Sequence, residues 1–249
     1  MDSEVTRRQL LTQLTAAGAA LAVLPAGASA ARLVADTPAT PSMIPMLTAK
    51  PLPEKLHWTE ANGITFKTHQ AHYGLYKGYV TKANEIAQAL AAIGKPDPAA
   101  ANQTYSPIRE LKVEYSFAIG GVKNHELYFD ILGGQGGVPT GDLAAAINAS
   151  FGSFENYTAD LTATGIASRG WAWTALDLDY GTLFNYAGDA QNTFPVWSAI
   201  PIAGLDVYEH AYYGDFSTAR AKYIAAFLAS LDWKAIEARY DAAVRKLKA

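Results

Sequence analysis

The sequence predicts an α+β fold: a long helical hairpin, then helices around a small three-stranded antiparallel sheet. Three observations carry this. Two segments with apolar and aromatic residues at threes and fours, 65–93 and 107–132, are joined by a Pro- and Gly-containing polar connection. A glycine cluster, Gly133-Gly134-Gln135-Gly136-Gly137, then breaks the helical pattern. Beyond it come short β-branched and aromatic runs divided by turn residues, before helical periodicity returns. Helical runs that bracket strand runs, rather than alternate with them, make α+β.

The elements follow in order. Residues 1–30 read as an export address, not as structure. Thr6-Arg7-Arg8-Gln9-Leu10-Leu11 is a twin-arginine pattern, Leu14 to Leu24 is a weakly apolar uncharged run, and Ala28-Ser29-Ala30 offers a cleavage site. The expectation is transport by the twin-arginine route to a periplasmic or secreted location, with no membrane association after cleavage. Residues 31–55, rich in Pro, Ala and Thr, read as an extended arm or linker.

The hairpin lobe is expected over 56–135. Its first helix runs from Thr65 to Ile93 and is stopped by Gly94-Lys95-Pro96. The second starts at Ser106-Pro107, with Ser as N-cap and Pro in the first turn, and continues to about Leu132. In the C-terminal lobe, 136–249, Pro139 to Tyr157 reads as one helix and Tyr157 to Gly165 as a short second one. Strands are expected at Trp171–Leu178, Thr182–Tyr186 and Leu205–Val207, the first two joined by a turn at Asp179-Tyr180-Gly181. Helices over Thr218–Leu231 and Trp233–Leu247 close the chain.

Composition narrows the chemistry. With net charge −3 and no basic run after Arg8, nucleic acid is not an expected partner. The chain has no cysteine, so disulfides and thiolate metal sites are excluded. A metal would have to be held by carboxylates, backbone oxygens or the five histidines His57, His69, His72, His125 and His210. Asp206-Val207-Tyr208-Glu209-His210-Ala211-Tyr212-Tyr213, which follows the apolar run Ile200 to Leu205, is the most telling stretch. Charged groups at the end of such a run must be paired or ligated, because an isolated buried charge is too costly.

At about 100° per residue, His72, Tyr76 and Tyr79 share one face of the first helix, with His69 close by. His125 lies among aromatic residues on the second helix. A hairpin that buries its shared face brings His72 and His125 together, and Asp206 and His210 complete three imidazoles and one carboxylate. Such a set suits a first-row metal.

These residues resemble the iron/manganese superoxide dismutases over roughly 52–247. Asp206-Val-Tyr-Glu-His210-Ala-Tyr-Tyr213 is similar to that family's D-x-W-E-H-A-Y-Y signature, with Tyr208 in the usual Trp position. Gly134-Gln-Gly-Gly-Val-Pro-Thr-Gly141, Ser150-Phe-Gly-Ser-Phe154 and Gly170-Trp-Ala-Trp173 occur in the family's order, and Asn124-His125 and His72-Tyr73-Gly74 resemble its ligand helices.

The resemblance implies one Mn or Fe ion on His72, His125, Asp206 and His210, with solvent as fifth ligand. It implies disproportionation of superoxide to oxygen and hydrogen peroxide, and an apolar shell from Trp171 and Trp173. It also implies a homodimer or larger assembly through Glu209, His210 and Tyr213.

Two departures matter. The family's usual His pair after the first ligand is replaced by Leu75, Tyr76 and Lys77, and the segment from His72 to Tyr79 is one residue shorter. Aligned on Tyr79-Val80, the first ligand position falls on Ala71. The helical face favours His72, with His69 in reserve, Tyr79 as gateway and Tyr76 in place of the missing His. For metal choice, Gly121 stands where many iron enzymes carry Gln, while Gln191, or Asn192 beside it, lies where manganese enzymes send one to the site; this leans to manganese. A metal-bearing relative with weak or no activity, and a hydrolase or oxygenase on the same ligands, are the competing readings.

Overall fold

A computed structural model describes residues 44–193 and 195–247. The expected export signal lies outside them. No helix among the described residues is long and apolar enough to cross a membrane.

From residue 44 the described part of the arm runs without helix or strand to Pro53 and enters a 3-10 helix, Glu54–Asn62. Gly63, at φ 94°, closes that helix. Helix α1 then spans Phe66–Ile93. Its first turn is held from three sides: Thr65 accepts from the Thr68 amide, Glu60 from the Phe66 amide, and Asp215 from both the amide and the hydroxyl of Thr65. These acceptors satisfy amides that have no partner within the helix. They also tie the ligand helix to a segment 150 residues away.

Helix α2 spans Pro107–Asp130 and packs antiparallel on α1, as the hairpin reading expects. Ser106 occupies the N-cap position, but its hydroxyl donates to the Asn102 carbonyl instead of capping. Two adjacent glycines interrupt the α2 face. A Cβ on Gly120 would sit 2.3 Å from the Gln191 carbonyl oxygen, and one on Gly121 would sit 2.5 Å from the Tyr79 ring. Each glycine costs the helix about 1 kcal/mol relative to alanine. In exchange, a loop backbone and an aromatic ring can rest directly on the helix.

The two helices expected on either side of Tyr157 divide earlier, at Gly152-Ser153. Helix α3 covers Gly141–Phe151 and α4 covers Phe154–Ala167. Gly152, at φ 83°, ends the first, and the Ser153 hydroxyl caps the second by accepting from the Asn156 amide. The apolar spacing of Leu143, Ile147, Phe151, Phe154 and Tyr157 continues across the break, which makes the boundary read later than it falls.

Strands β1 (Trp171–Asp177), β2 (Leu183–Gly188) and β3 (Ala199–Asp206) form an antiparallel sheet in the order β2-β1-β3. β3 is much longer than the Leu205–Val207 expected. Its register against β1 slips between Thr174 and Ala175, so Pro201 sits beside a bulge on an edge strand, one of the few places a sheet tolerates proline. The register pairs Trp171 with Asp206. The sheet thus delivers a buried indole and a buried carboxylate to the same end. Short turns follow (a 3-10 turn at Glu209–Ala211 and helix α5, Tyr213–Phe216), then α6 (Arg220–Ala229) and α7 (Trp233–Leu247).

The core runs between the hairpin and the sheet. Tyr128, Trp171, Tyr223 and Phe227 are fully enclosed there, and the Tyr223 hydroxyl donates to that of Tyr128. Polar tips inside an apolar body are thereby paired.

Candidate metal centre

Four residues from four elements converge. His72 comes from α1, His125 from α2, Asp206 from the end of β3, and His210 from the 3-10 turn after it. One ligand atom from each lies within 4.8 Å of the other three. Asp206 Oδ2 is the hub, at 3.1 Å from His72 Nε2, 3.3 Å from His210 Nε2 and 3.9 Å from His125 Nε2. The side chains of His72, His125 and Asp206 are 0 % exposed, whereas that of His210 is 28 % exposed.

The protonation pattern follows from the partners. His125 Nδ1 lies 2.6 Å from the Gly121 carbonyl oxygen, which can only accept. The proton therefore sits on Nδ1, and Nε2 points its lone pair into the cluster with no hydrogen-bond partner. A buried unpartnered nitrogen is costly, and a cation at the centre of the four ligand atoms satisfies it. Burial holds the His125 imidazole down to about 3, with His72 adding to the effect, and burial likewise lowers His72. Both rings are neutral at ordinary pH, the state in which imidazole ligates. Burial opposes charge on Asp206 too, but hydrogen bonds from His210 and His72 outweigh it and hold the carboxyl well below the usual range. Its other oxygen accepts from the Tyr208 amide at 2.9 Å.

Three imidazoles and one carboxylate, with His125 braced by the Gly121 carbonyl and Asp206 by the Tyr208 amide, fit a divalent or trivalent first-row ion.

The other expected residues fall around this cluster. Tyr79 packs against the His125 ring at 5.3 Å between centroids. Gln191 donates from Nε2 to the Tyr79 hydroxyl at 3.3 Å, while its Oε1 accepts from Trp171 Nε1 at 3.0 Å and from Asn124 Nδ2 at 3.3 Å. This amide is oriented from both ends. Burial raises the Tyr79 phenol above its ordinary value. Trp173 stacks on Trp171 at 6.0 Å.

Tyr76 is placed differently from Tyr79. Its ring stacks near His125 at 6.5 Å, but its hydroxyl donates to Glu126 and accepts from the Lys50 amide, facing away from the cluster. His69 stays outside the four, with Nε2 at 2.9 Å from Thr59 Oγ1, and Ala71 is exposed. Asn192 turns to Ser116. Glu209 and Tyr213 are exposed beside His210. Sequence reasoning passed over Asn124 as a site residue; its signal was its place directly before a ligand histidine.

A helical hairpin and a small sheet that meet at three imidazoles and a carboxylate make the arrangement of a candidate mononuclear metal centre. Residues 139–239 match the family model described as iron/manganese superoxide dismutases, C-terminal domain. The superoxide dismutase (Fe) of Aquifex aeolicus (strain VF5) is 40% identical over 189 residues, 75% of this chain and 89% of that protein. That of Aquifex pyrophilus is 40% identical over 190 residues, with the same coverage. The superoxide dismutase (Mn) of Mycolicibacterium fortuitum is 33% identical over 187 residues, 72% of this chain and 83% of that protein. The chain belongs to the iron/manganese superoxide dismutase family.

Proposed function

We propose that this chain is a superoxide dismutase that holds one Mn or Fe ion on His72, His125, Asp206 and His210. The carrying observation is the lone pair of His125 Nε2, fixed toward the Asp206 hub by the Gly121 carbonyl. The net reaction turns two superoxide anions and two protons into oxygen and hydrogen peroxide. When bound, the ion supplies the one-electron chemistry between its +3 and +2 states. The protein supplies the rest. Trp171 and Trp173 exclude water from one wall. The Gln191 amide, pinned by Trp171 and Asn124, holds the Tyr79 hydroxyl beside His125, so a proton donor stands at the half-buried rim. Tyr79 therefore serves as gateway, and Tyr76 forms a wall.

Manganese is the favoured ion. Gln191 reaches the site from the loop after β2, while Gly121 has no room for a side chain against Tyr79. Relatives carry both metals in their names. A homodimer is proposed through Glu209, His210 and Tyr213, supported by the exposure of Glu209 and Tyr213 beside a ligand. Export by the twin-arginine route to a periplasmic or secreted location rests on the motif around Arg7 and Arg8.

The test is reconstitution with Mn or with Fe, measuring ion content and superoxide turnover on the same sample. One ion per subunit with turnover in at least one form is expected. Full occupancy without turnover in either form sinks the enzymatic reading and leaves a metal-binding relative.

A further inference from the structure

Residues 47–50 of the arm lie across the ligand hairpin and are gripped by their backbone. Asn84 on α1 accepts from the Leu47 amide at 2.8 Å and donates to the Leu47 carbonyl at 2.9 Å. One side chain thus reads both main-chain groups of one residue. Three residues on, the Lys50 amide donates to the Tyr76 hydroxyl and its carbonyl accepts from the Tyr73 hydroxyl, each at 2.9 Å. The Lys50 ammonium reaches across to Glu126 on α2, whose other oxygen accepts from Tyr76. Leu47, Ala49 and Leu52 pack their apolar groups against the core below. A cavity of about 180 Å³ lies at this junction, lined by Tyr76, Glu126 and Lys50 among others.

This grip joins the two ligand helices. Tyr73 neighbours His72 on α1, and Glu126 neighbours His125 on α2, with the two imidazoles 4.8 Å apart between ring centroids. Tyr76 closes the gap from the arm side and stacks near His125. We propose that the arm is a staple: Leu47 and Lys50, clasped by Asn84, Tyr73, Tyr76 and Glu126, fix the spacing of His72 and His125 and so set how slowly the site releases its ion. The staple rests on the metal reading above. Its members are positioning residues, since none touches the ligand atoms. The Lys50–Glu126 ion pair is mostly exposed and contributes little. The grip is on backbone and half-buried at Asn84 and Tyr76, so the identity of the side chain at position 50 matters less than Asn84 and Tyr73.

The experiment uses the full chain loaded with Mn. Release of the ion to an excess of chelator is timed for the parent protein, Asn84→Ala, Tyr73→Phe, the double variant and Lys50→Ala. Amide hydrogen exchange at Leu47 and Lys50 is followed in the same samples. The double variant loses three hydrogen bonds and is expected to exchange these amides and release the ion at least about tenfold faster. Lys50→Ala should stay within about twofold of the parent. Asn84→Asp, which keeps the acceptor and loses the donor, should fall between.

Faster exchange at Leu47 and Lys50 with unchanged ion release in the double variant overturns the staple. So does unchanged exchange, which removes the grip itself. A parent protein that takes up no ion overturns the metal reading instead, and with it the staple's purpose, while the exchange data still report on the grip.

Discussion

The two halves of the metal centre are built of different materials. His72 and His125 sit on the hairpin, wholly enclosed, against the rings of Tyr128, Phe129 and Trp171. Asp206 and His210 sit where a strand gives way to a turn, and His210 keeps an exposed edge beside Glu209 and Tyr213. The hairpin half is held by packing, which is dense and tolerates little change. The sheet half is held by hydrogen bonds, Asp206 from the Tyr208 amide and His210 to Asp206, and only His210 keeps an open face. On the proposed function, retention of the ion is expected to depend most on the enclosed hairpin, and access to it on the open edge at His210.

The sharpest break comes from paired variants on one helix. His72→Ala should reduce bound metal to background, as measured by elemental analysis of purified protein. His69→Ala, one turn away and bonded to Thr59, should keep its metal and lose about 1–3 kcal/mol of unfolding stability. The reverse pattern would move the first ligand to His69.

Acid should strike the hairpin half next. Burial holds His69 at about 4, against an ordinary 6.5. Between those values the unfolded chain binds the proton that the folded one refuses, so stability is full above about 6.5 and falls as the pH drops toward 4. Denaturant titrations of metal-free protein should show a loss on the order of 3 kcal/mol from this residue by pH 4. His125 and His72 push in the same direction, so His69→Asn should flatten the acid limb only in part. A flat limb in the parent would show that these rings are not buried neutral.

On the rim side, Gln191→Ala should lower superoxide turnover about 10- to 100-fold with metal content intact. Loss of the ion in that variant would erase the division between retention and access. The smallest effect is expected from Gly121→Ala, whose added methyl group must push the Tyr79 ring aside. It should cost about 1 kcal/mol in thermal unfolding and shift turnover more than metal content.

Much of this was legible from the residues, for physical reasons that differ along the chain. The candidate ligands His72, His125, Asp206 and His210 stood out because few histidines exist, because a helical face favours His72 over His69, and because Asp206 and His210 close an apolar run. Gln191 was readable as a neighbour of the site by resemblance, but its two anchors, Trp171 Nε1 and Asn124, are tertiary contacts that no local pattern encodes. The break at Gly152-Ser153 hid inside a continuous apolar period. The first part of β3 was obscured by Pro201, which is tolerated because the strand lies at the sheet edge beside a bulge. Tyr76 shared the right face, yet the arm drew its hydroxyl outward. The arm itself looked like a tether because its backbone is gripped by helix residues 23 to 37 positions away.

Sequence distance has one more consequence, and it concerns time. His72 and Asp206 are in contact although 134 residues separate them. At a synthesis rate of roughly 5–20 residues per second, the hairpin with its two imidazoles is made several seconds before Asp206 and His210 exist. For that interval the growing chain carries half a binding site. The choice of ion is postponed until the last third of the protein has been made and folded against the first.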